Sequence, residues 1–360
     1  MVDLPERMND VTRDWLQGAL EDHPAFRDRK ITAIRKSPIG VGIGQMSELA
    51  RVELDYEKKR GPKSVVVKLH APFQAMRDVG VKYEMFSRET AFYESMACEV
   101  TVPIPTIYFV AWDQQTQRNA TIMQDMSDWY WPDQLTGPTK QQAEKCVDAL
   151  AQLGAKHWDA DFSAHPWLPD SNSPLIRQAV EDYRLSLPVA FERCASFVTP
   201  EMRAAGERIE RNIDWICAAL AEPPLIVAHY DCRLENFVFA DKRASKLALI
   251  DWQLVARLRP GWDIAYFTGT SLPEETRGKW QKKLRDRYRA RLKAGGVKNY
   301  SSKAADYDFR LASMAMTMIP VIGGASFDGS NERNATLFGT ILRRSLASVI
   351  ANDCLAILPA

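Results

Sequence analysis

The segment Leu225-Ile-Val-Ala-His229-Tyr-Asp231-Cys-Arg233-Leu-Glu-Asn236 is followed, after a turn, by Leu247-Ala-Leu-Ile-Asp251-Trp252. Asp231 and Asn236 stand five residues apart on a polar loop, and Asp251 closes the second of two short apolar runs. A hairpin-like return of the chain between those runs would gather three oxygen-bearing side chains in one place. Phosphoryl transfer needs such a set: a carboxylate that orients an attacking hydroxyl and accepts its proton, and hard oxygen ligands for a partly hydrated magnesium ion.

The elements that must position these residues follow from periodicity. Leu4 to Leu20 has helical spacing, and short strand-like runs come after it. Arg51 to Tyr56 alternates charged residues with Val52, Leu54 and Tyr56, as a strand with one wet face does, and Ser64 to Leu69 is an apolar β-branched run. Gly61-Pro62 marks the turn between them. A helical face returns over Val81 to Met96, and strands are expected at Thr106 to Trp112 and Ala120 to Gln124. Beyond Asp128 the spacing predicts helices over Thr139 to Trp158, Glu201 to Leu220, Glu274 to Ala294 and Leu337 to Ile350, interrupted by a strand-rich island at residues 225 to 252. A sheet-rich half followed by a helical half places a boundary near Gln124 to Asp128 and implies a cleft between two lobes.

His229-x-Asp231-x-x-x-x-Asn236 with Ile250-Asp251-Trp252 resembles the catalytic and metal motifs of the protein-kinase-like fold. More narrowly, His-Tyr-Asp-Cys-Arg-Leu-Glu-Asn with Ile-Asp-Trp-Gln resembles the aminoglycoside phosphotransferase, choline kinase and ecdysteroid kinase-like group of small-molecule kinases, over most of the chain. The resemblance implies a bilobal α+β fold: a small antiparallel-sheet N-terminal lobe, residues 1–125, that binds nucleotide, and a larger, mainly helical C-terminal lobe, residues 126–360, for catalysis and substrate. It implies ATP and Mg2+, with Asp231 as catalytic base, Arg233 stabilising charge on the transferring group, and Asn236 and Asp251 holding metal. In the first half, Val65-Val-Val-Lys68 looks like the strand whose lysine holds the α- and β-phosphates, and Glu89 like its helix partner. Gly40, Gly42, Gly44 and Ser47 resemble the glycine loop over the phosphates, and Ile122 to Met126, with Gln124 and Met126, resembles the hinge that meets adenine. Asp263 looks like the aspartate that braces the catalytic loop. Two positions depart from the group: Gly154 stands where relatives usually carry a histidine, and Gln124 replaces a common hinge acid.

A lone His-x-Asp-x-x-x-x-Asn pattern is common by chance, but here it lies between two apolar runs with Lys68 and Glu89 upstream in the matching order. The three glycines alone fit a β-turn as well as a phosphate loop. They form no dinucleotide fingerprint, because a strand and not a helix follows, and no Gly-Lys-Ser order supplies a Walker A loop. Lys68 and Glu89 could be a surface ion pair, although the lysine ends an apolar strand. His229 reads as a structural histidine. Trp129, Tyr130 and Trp131 read as packing ahead of an acceptor pocket, and Met314, Met316 and Met318 as core filler.

Composition narrows the classes. In 360 residues, 47 Lys and Arg face 46 Asp and Glu, so no whole-protein positive field draws nucleic acid or an anionic membrane. Six dispersed cysteines without a Cys-x-x-Cys pair read as reduced thiols. Met1 to Asp10 lacks the basic and apolar blocks of a secretory signal, giving a cytoplasmic expectation, and the uncharged stretch Leu311 to Phe327, broken by Pro320, Gly323 and Gly324, reads as a buried helix ending in a turn. The expected acceptor is the hydroxyl of a small molecule, a neutral or apolar alcohol, because acidic clusters for polycations or quaternary amines are not evident. An antibiotic-inactivating phosphotransferase and a non-catalytic nucleotide-binding protein are the alternatives. A protein kinase is disfavoured, since only twelve residues separate Asp251 from Asp263, too few for an activation segment.

Overall fold

Alternation of Val52 and Leu54 with Arg51, Glu53 and Asp55 puts apolar and charged side chains on opposite faces of a strand, and burial follows it, with Val52 and Leu54 in the core. The computed structural model describes residues 3–40, 46–58, 61–326 and 332–359. Chain contacts divide it into two compact units, Met1–Glu99 with Ile104–Trp129, and Val100–Pro103 with Tyr130–Ala360.

The first unit runs α1 (Arg13–Leu20), β1 (Ile31–Pro38), β2 (Ser47–Tyr56), β3 (Ser64–His70), α2 (Gln74–Lys82), α3 (Met85–Ala91), β4 (Ile107–Asp113) and β5 (Arg118–Gln124). The five strands form an antiparallel sheet in the order β1-β2-β3-β5-β4. Thr12 caps α1 by accepting from the Trp15 N–H at 3.1 Å. Leu16 and Leu20 of that helix pack with Val52, Val65, Val67, Leu69 and Ile122 in one apolar core. The single helix expected over Val81 to Met96 is instead α2, α3 and a wider turn, Phe92–Met96. The chain breaks at Glu84, whose left-handed backbone (φ 53°) cannot continue a helix.

The second unit contains α4 (Lys140–Lys156), α5 (Pro174–Arg193), α6 (Pro200–Arg211), α7 (Ile213–Leu220), β6 (Ile226–Ala228), β7 (Phe237–Phe239), β8 (Leu247–Leu249), β9 (Ala256–Leu258), α8 (Trp262–Ser271), α9 (Glu274–Ala294), α10 (Ser302–Ala315), α11 (Met318–Ser326) and α12 (Glu332–Ala351). Thr139, Ser173, Thr199 and Ser301 cap α4, α5, α6 and α10 through their hydroxyls. The helix expected over Glu201 to Leu220 is broken at Asn212, whose side-chain amide donates to the Arg208 carbonyl at 2.8 Å. Of the stretch Leu311 to Phe327, the described residues 311–326 are likewise divided between α10 and α11, the Thr317 hydroxyl donating to the Met314 carbonyl at 2.7 Å. The segment Ser302–Ser326 is long and apolar enough to cross a membrane by composition, and 67% of its most apolar window is buried within the protein. Met314, Met316 and Met318 are core residues. Two pairs of three-residue strands, β6 with β9 and β7 with β8, make the frame of the island at residues 225 to 258.

Candidate active site

Pairing of Phe237 with Leu249 in the β7–β8 hairpin, continued by the Ile250 N–H donating to the Asn236 carbonyl at 3.0 Å, brings the end of one loop beside the start of the other. Asn236 and Asp251 thereby become neighbours although fifteen residues apart. The Asn236 amide nitrogen donates to the Asp231 carbonyl at 2.7 Å and to Asp231 Oδ2 at 3.3 Å. That spends its donors on the loop and leaves its amide oxygen turned the other way. Asp251 takes a left-handed backbone (φ 67°) and accepts from Gln253 Nε2 at 3.3 Å. An amide oxygen and a carboxylate are donor types that a magnesium ion takes, with water and phosphate oxygens for its other positions.

The Asp231 side chain is buried, 8% exposed. Its Oδ1 accepts a hydrogen bond from the Tyr266 hydroxyl at 2.7 Å, and its Oδ2 lies 3.7 Å from an Arg233 guanidinium nitrogen. Arg233 is held above its ordinary pKa, first by Asp231, so it stays cationic. Glu235 lies 3.9 Å from the Arg233 Nε and 3.5 Å from Arg333, which also stands 3.7 Å from Asp133. Charges around the catalytic loop are therefore mutually paired.

The loop is fixed from behind. Asp263, fully buried at the start of α8, accepts from the His229 N–H at 3.0 Å, the Tyr230 N–H at 3.2 Å and the Cys232 thiol. Burial pushes the Asp263 carboxyl above its ordinary value, against the opposing pull of His229 and these backbone donors. The Trp262 indole donates to the Tyr230 carbonyl at 2.9 Å and stacks on the Tyr230 ring, 4.3 Å between centroids. Tyr230 needs the support, since its backbone is left-handed (φ 75°). His229 Nε2–H donates to the Ile250 carbonyl at 2.9 Å, linking both loops, and burial holds its imidazole below the ordinary value. It is a structural histidine. Gln134 and Ser271 both accept from the Leu234 N–H, at 2.9 and 3.0 Å. Buried Arg344 of α12 in turn holds the Gln134 carbonyl at 2.8 Å and the Leu135 carbonyl at 2.6 Å.

In the first unit, Lys68 of β3 and Glu89 of α3 form an ion pair at 2.9 Å with side chains 7% and 2% exposed, so the surface-pair reading is wrong. Gly40 has φ +67°, a conformation suited to glycine, and Ser47 opens β2 opposite His70. Gly42 and Gly44 lie outside the described residues. The Gln124 side chain accepts from the Thr106 N–H at 3.2 Å, which commits it to the sheet, while Met126 is buried. Between them Asp125 accepts from the Arg51 guanidinium at 2.6 Å, the Ser64 hydroxyl at 2.5 Å and the Ser127 N–H at 2.9 Å, which sets the course of this segment.

Sequence reasoning missed Tyr266, Gln134, Ser271 and Arg344. Tyr266 carried a signal: it follows Asp263 by three residues, one helical turn, and so shares its face. The packing reading fails for Trp131, which is 49% exposed, whereas Tyr130 is tied by its backbone to Phe239. At Gly154 an added Cβ would lie 3.0 Å from the Ile226 side chain and 3.3 Å from the Tyr288 hydroxyl, so this helix packs too closely here for a larger residue without rearrangement.

The backbone is similar to that of a protein provisionally described as an aminoglycoside phosphotransferase from Ralstonia eutropha JMP134, with TM-score 0.58 and 14% identity over 97% of this chain and 98% of that one. It is similar to choline kinase from Cryptosporidium parvum Iowa II, with TM-score 0.57 and 12% identity over 95% and 97% of the two chains. It is also similar to an aminoglycoside 2′-phosphotransferase solved with GDP, at TM-score 0.50 and 13% identity over 95% and 97%. These likenesses establish the bilobal α+β, protein-kinase-like fold. No curated protein matches by sequence. Residues 52–301 match the phosphotransferase enzyme family, a span that takes in the Lys68–Glu89 pair and the whole loop from His229 to Asn236, and the chain therefore belongs to that family and is a small-molecule phosphotransferase.

Proposed function

We propose that the protein transfers the γ-phosphoryl group of ATP to the hydroxyl of a neutral or apolar small molecule, with Asp231 as base. The observation that carries this reading is the state of Asp231: a buried carboxylate with one oxygen fixed by Tyr266 and the other beside Asn236 and Arg233. A protein that only binds nucleotide has no use for that arrangement. Asp231 would orient the acceptor hydroxyl and take its proton as the oxygen attacks the γ-phosphorus and the bond to the β-phosphate oxygen breaks. Arg233 would face the charge that develops on the transferring group. Lys68, fixed by Glu89, would hold the α- and β-phosphates; Gly40, Gly42, Gly44 and Ser47 would cover them, and Gln124 and Met126 would meet the base through their backbone.

Asn236 and Asp251 would hold Mg2+, which neutralises phosphate charge when bound. The relative solved with GDP supports purine nucleotide use. Pairing of Glu235, Arg333 and Asp133 among themselves favours an uncharged acceptor.

The test is phosphoryl transfer by wild type and Asp231→Asn with Mg-ATP or Mg-GTP and pooled alcohols, sterols, hydroxyacyl-CoAs, amino alcohols and antibiotics, read by mass spectrometry. A product gaining one phosphate with wild type alone, from the neutral alcohols, is expected. Transfer undiminished in Asp231→Asn would overturn the assignment of the base, and a product only from amino alcohols or antibiotics would overturn the acceptor class.

A further inference from the structure

The Asp231 carboxylate has two oxygens, and the structure treats them differently. Oδ2 accepts from the Asn236 amide at 3.3 Å and lies 3.7 Å from Arg233, whereas Oδ1 is taken by the Tyr266 hydroxyl at 2.7 Å. Tyr266 is 1% exposed. It sits on α8, one turn beyond Asp263, which holds the backbone of residues 229 and 230. The same helix therefore grips the loop twice: an acceptor carboxylate fixes the loop backbone, and a donor hydroxyl fixes the carboxylate that backbone presents. Trp262, preceding Asp263, adds a third attachment through the Tyr230 carbonyl. Burial pushes the Tyr266 phenol well above its ordinary value, so the hydroxyl remains a donor throughout the working range.

A carboxylate turning about its χ2 has a broad, roughly two-fold torsional well. Without a partner on Oδ1, Asp231 could rotate and share either oxygen with Asn236 or Arg233. A buried tyrosine donor removes that freedom. We propose that Tyr266 is a positioning residue for transfer: by occupying Oδ1 it locks the Asp231 carboxylate in the rotamer that leaves Oδ2 to receive the acceptor proton. This inference rests on Asp231 being the base.

The experiment compares wild type, Tyr266→Phe, Asp231→Asn and the Asp231→Asn/Tyr266→Phe double variant, using Mg-ATP and the acceptor that gives product with wild type. Steady-state rates are measured alongside Mg-ATP titration calorimetry. Losing one charge-assisted hydrogen bond that orients the base should lower kcat about 10- to 100-fold in Tyr266→Phe. The acceptor KM and the Mg-ATP Kd should stay within about twofold, since neither ligand meets the phenol in this scheme. In the Asp231→Asn background the second substitution should add nothing, because the two residues act as one unit. 3-Fluorotyrosine placed at 266 keeps the hydroxyl and should retain the wild-type kcat, which separates the bond from ring packing and covers the case of a poorly folded phenylalanine variant.

Full activity in Tyr266→Phe alongside a dead Asp231→Asn would overturn the inference and leave the base standing. An equal further loss in the double variant would likewise overturn it, showing that Tyr266 acts elsewhere. No transfer by wild type, or full activity in Asp231→Asn, would remove the underlying reading and the inference with it.

Discussion

Replacing Lys68 with methionine leaves Glu89 in an environment where its side chain is 2% exposed. At 2.9 Å and an effective dielectric constant near 20, the gross attraction between the two charges is about 6 kcal/mol. Withdrawing two ions from water costs several kcal/mol each, so the pair as a whole adds little net stability. Its single variants behave otherwise. Lys68→Met or Glu89→Met alone removes one ion of a buried pair and should destabilise by about 3–5 kcal/mol. The double variant, with two apolar chains of similar length, should lie within about 1 kcal/mol of wild type, a coupling of several kcal/mol. Urea unfolding followed by circular dichroism gives the four midpoints, and equal m-values would license the comparison. The same preparations titrated with Mg-ATP should show that the stable double variant binds at least tenfold more weakly. Additive single effects, within about 0.5 kcal/mol, would refute the argument, because two ions that hold each other must couple.

Two further outcomes follow from burial. Burial raises the thiols of Cys146, Cys194, Cys217, Cys232 and Cys354, those of Cys217 and Cys354 to about 12, while Cys98 is exposed. A thiol reagent at pH 8 should therefore modify one cysteine rapidly in the native protein and all six after denaturation, with peptide mapping to Cys98. His229 and His70 are both held below their ordinary value, first by burial. The unfolded chain takes up a proton at each below about pH 6.5 and the native chain does not, so stability should fall as pH drops from 6.5 towards the carboxylate range, by up to about 1.4 kcal/mol per pH unit for each histidine. The raised carboxyls of Asp263 and Asp308 act in the opposite direction at lower pH. His70→Gln should flatten the slope by up to one proton, and unfolding free energies unchanged between pH 7 and 5.5 would contradict the argument.

What could be read from the sequence was what is local. His229, Asp231, Asn236 and Asp251 lie within 23 residues, between apolar runs that can only be buried strands, so their convergence followed from the chain itself. The helices around them were harder to place. Nothing in the apolar periodicity of Glu201 to Leu220 stops at Asn212, where a side-chain amide capturing a carbonyl ends the first helix. No expectation was placed on α5, which carries Pro188 internally. Gln134 and Arg344 were invisible for a different reason: each acts through hydrogen bonds to backbone atoms, at separations of 100 and 210 residues, and polar groups that meet only after folding leave no pattern in sequence.

The left-handed backbone at Asp251 sets heat resistance against turnover. Asp251→Gly would relax a conformation that costs a side-chain-bearing residue about 1 kcal/mol. A mutant library screened only for surviving heat should thus favour that change, and under the proposed function the hardier protein it returns would have lost one of the two oxygen donors assigned to the metal. Natural lineages released from selection for transfer face the same slope, so stability alone would erode this site from Asp251 outward, while the Asp263 and Trp262 attachments, which hold the loop together, would be the last to go.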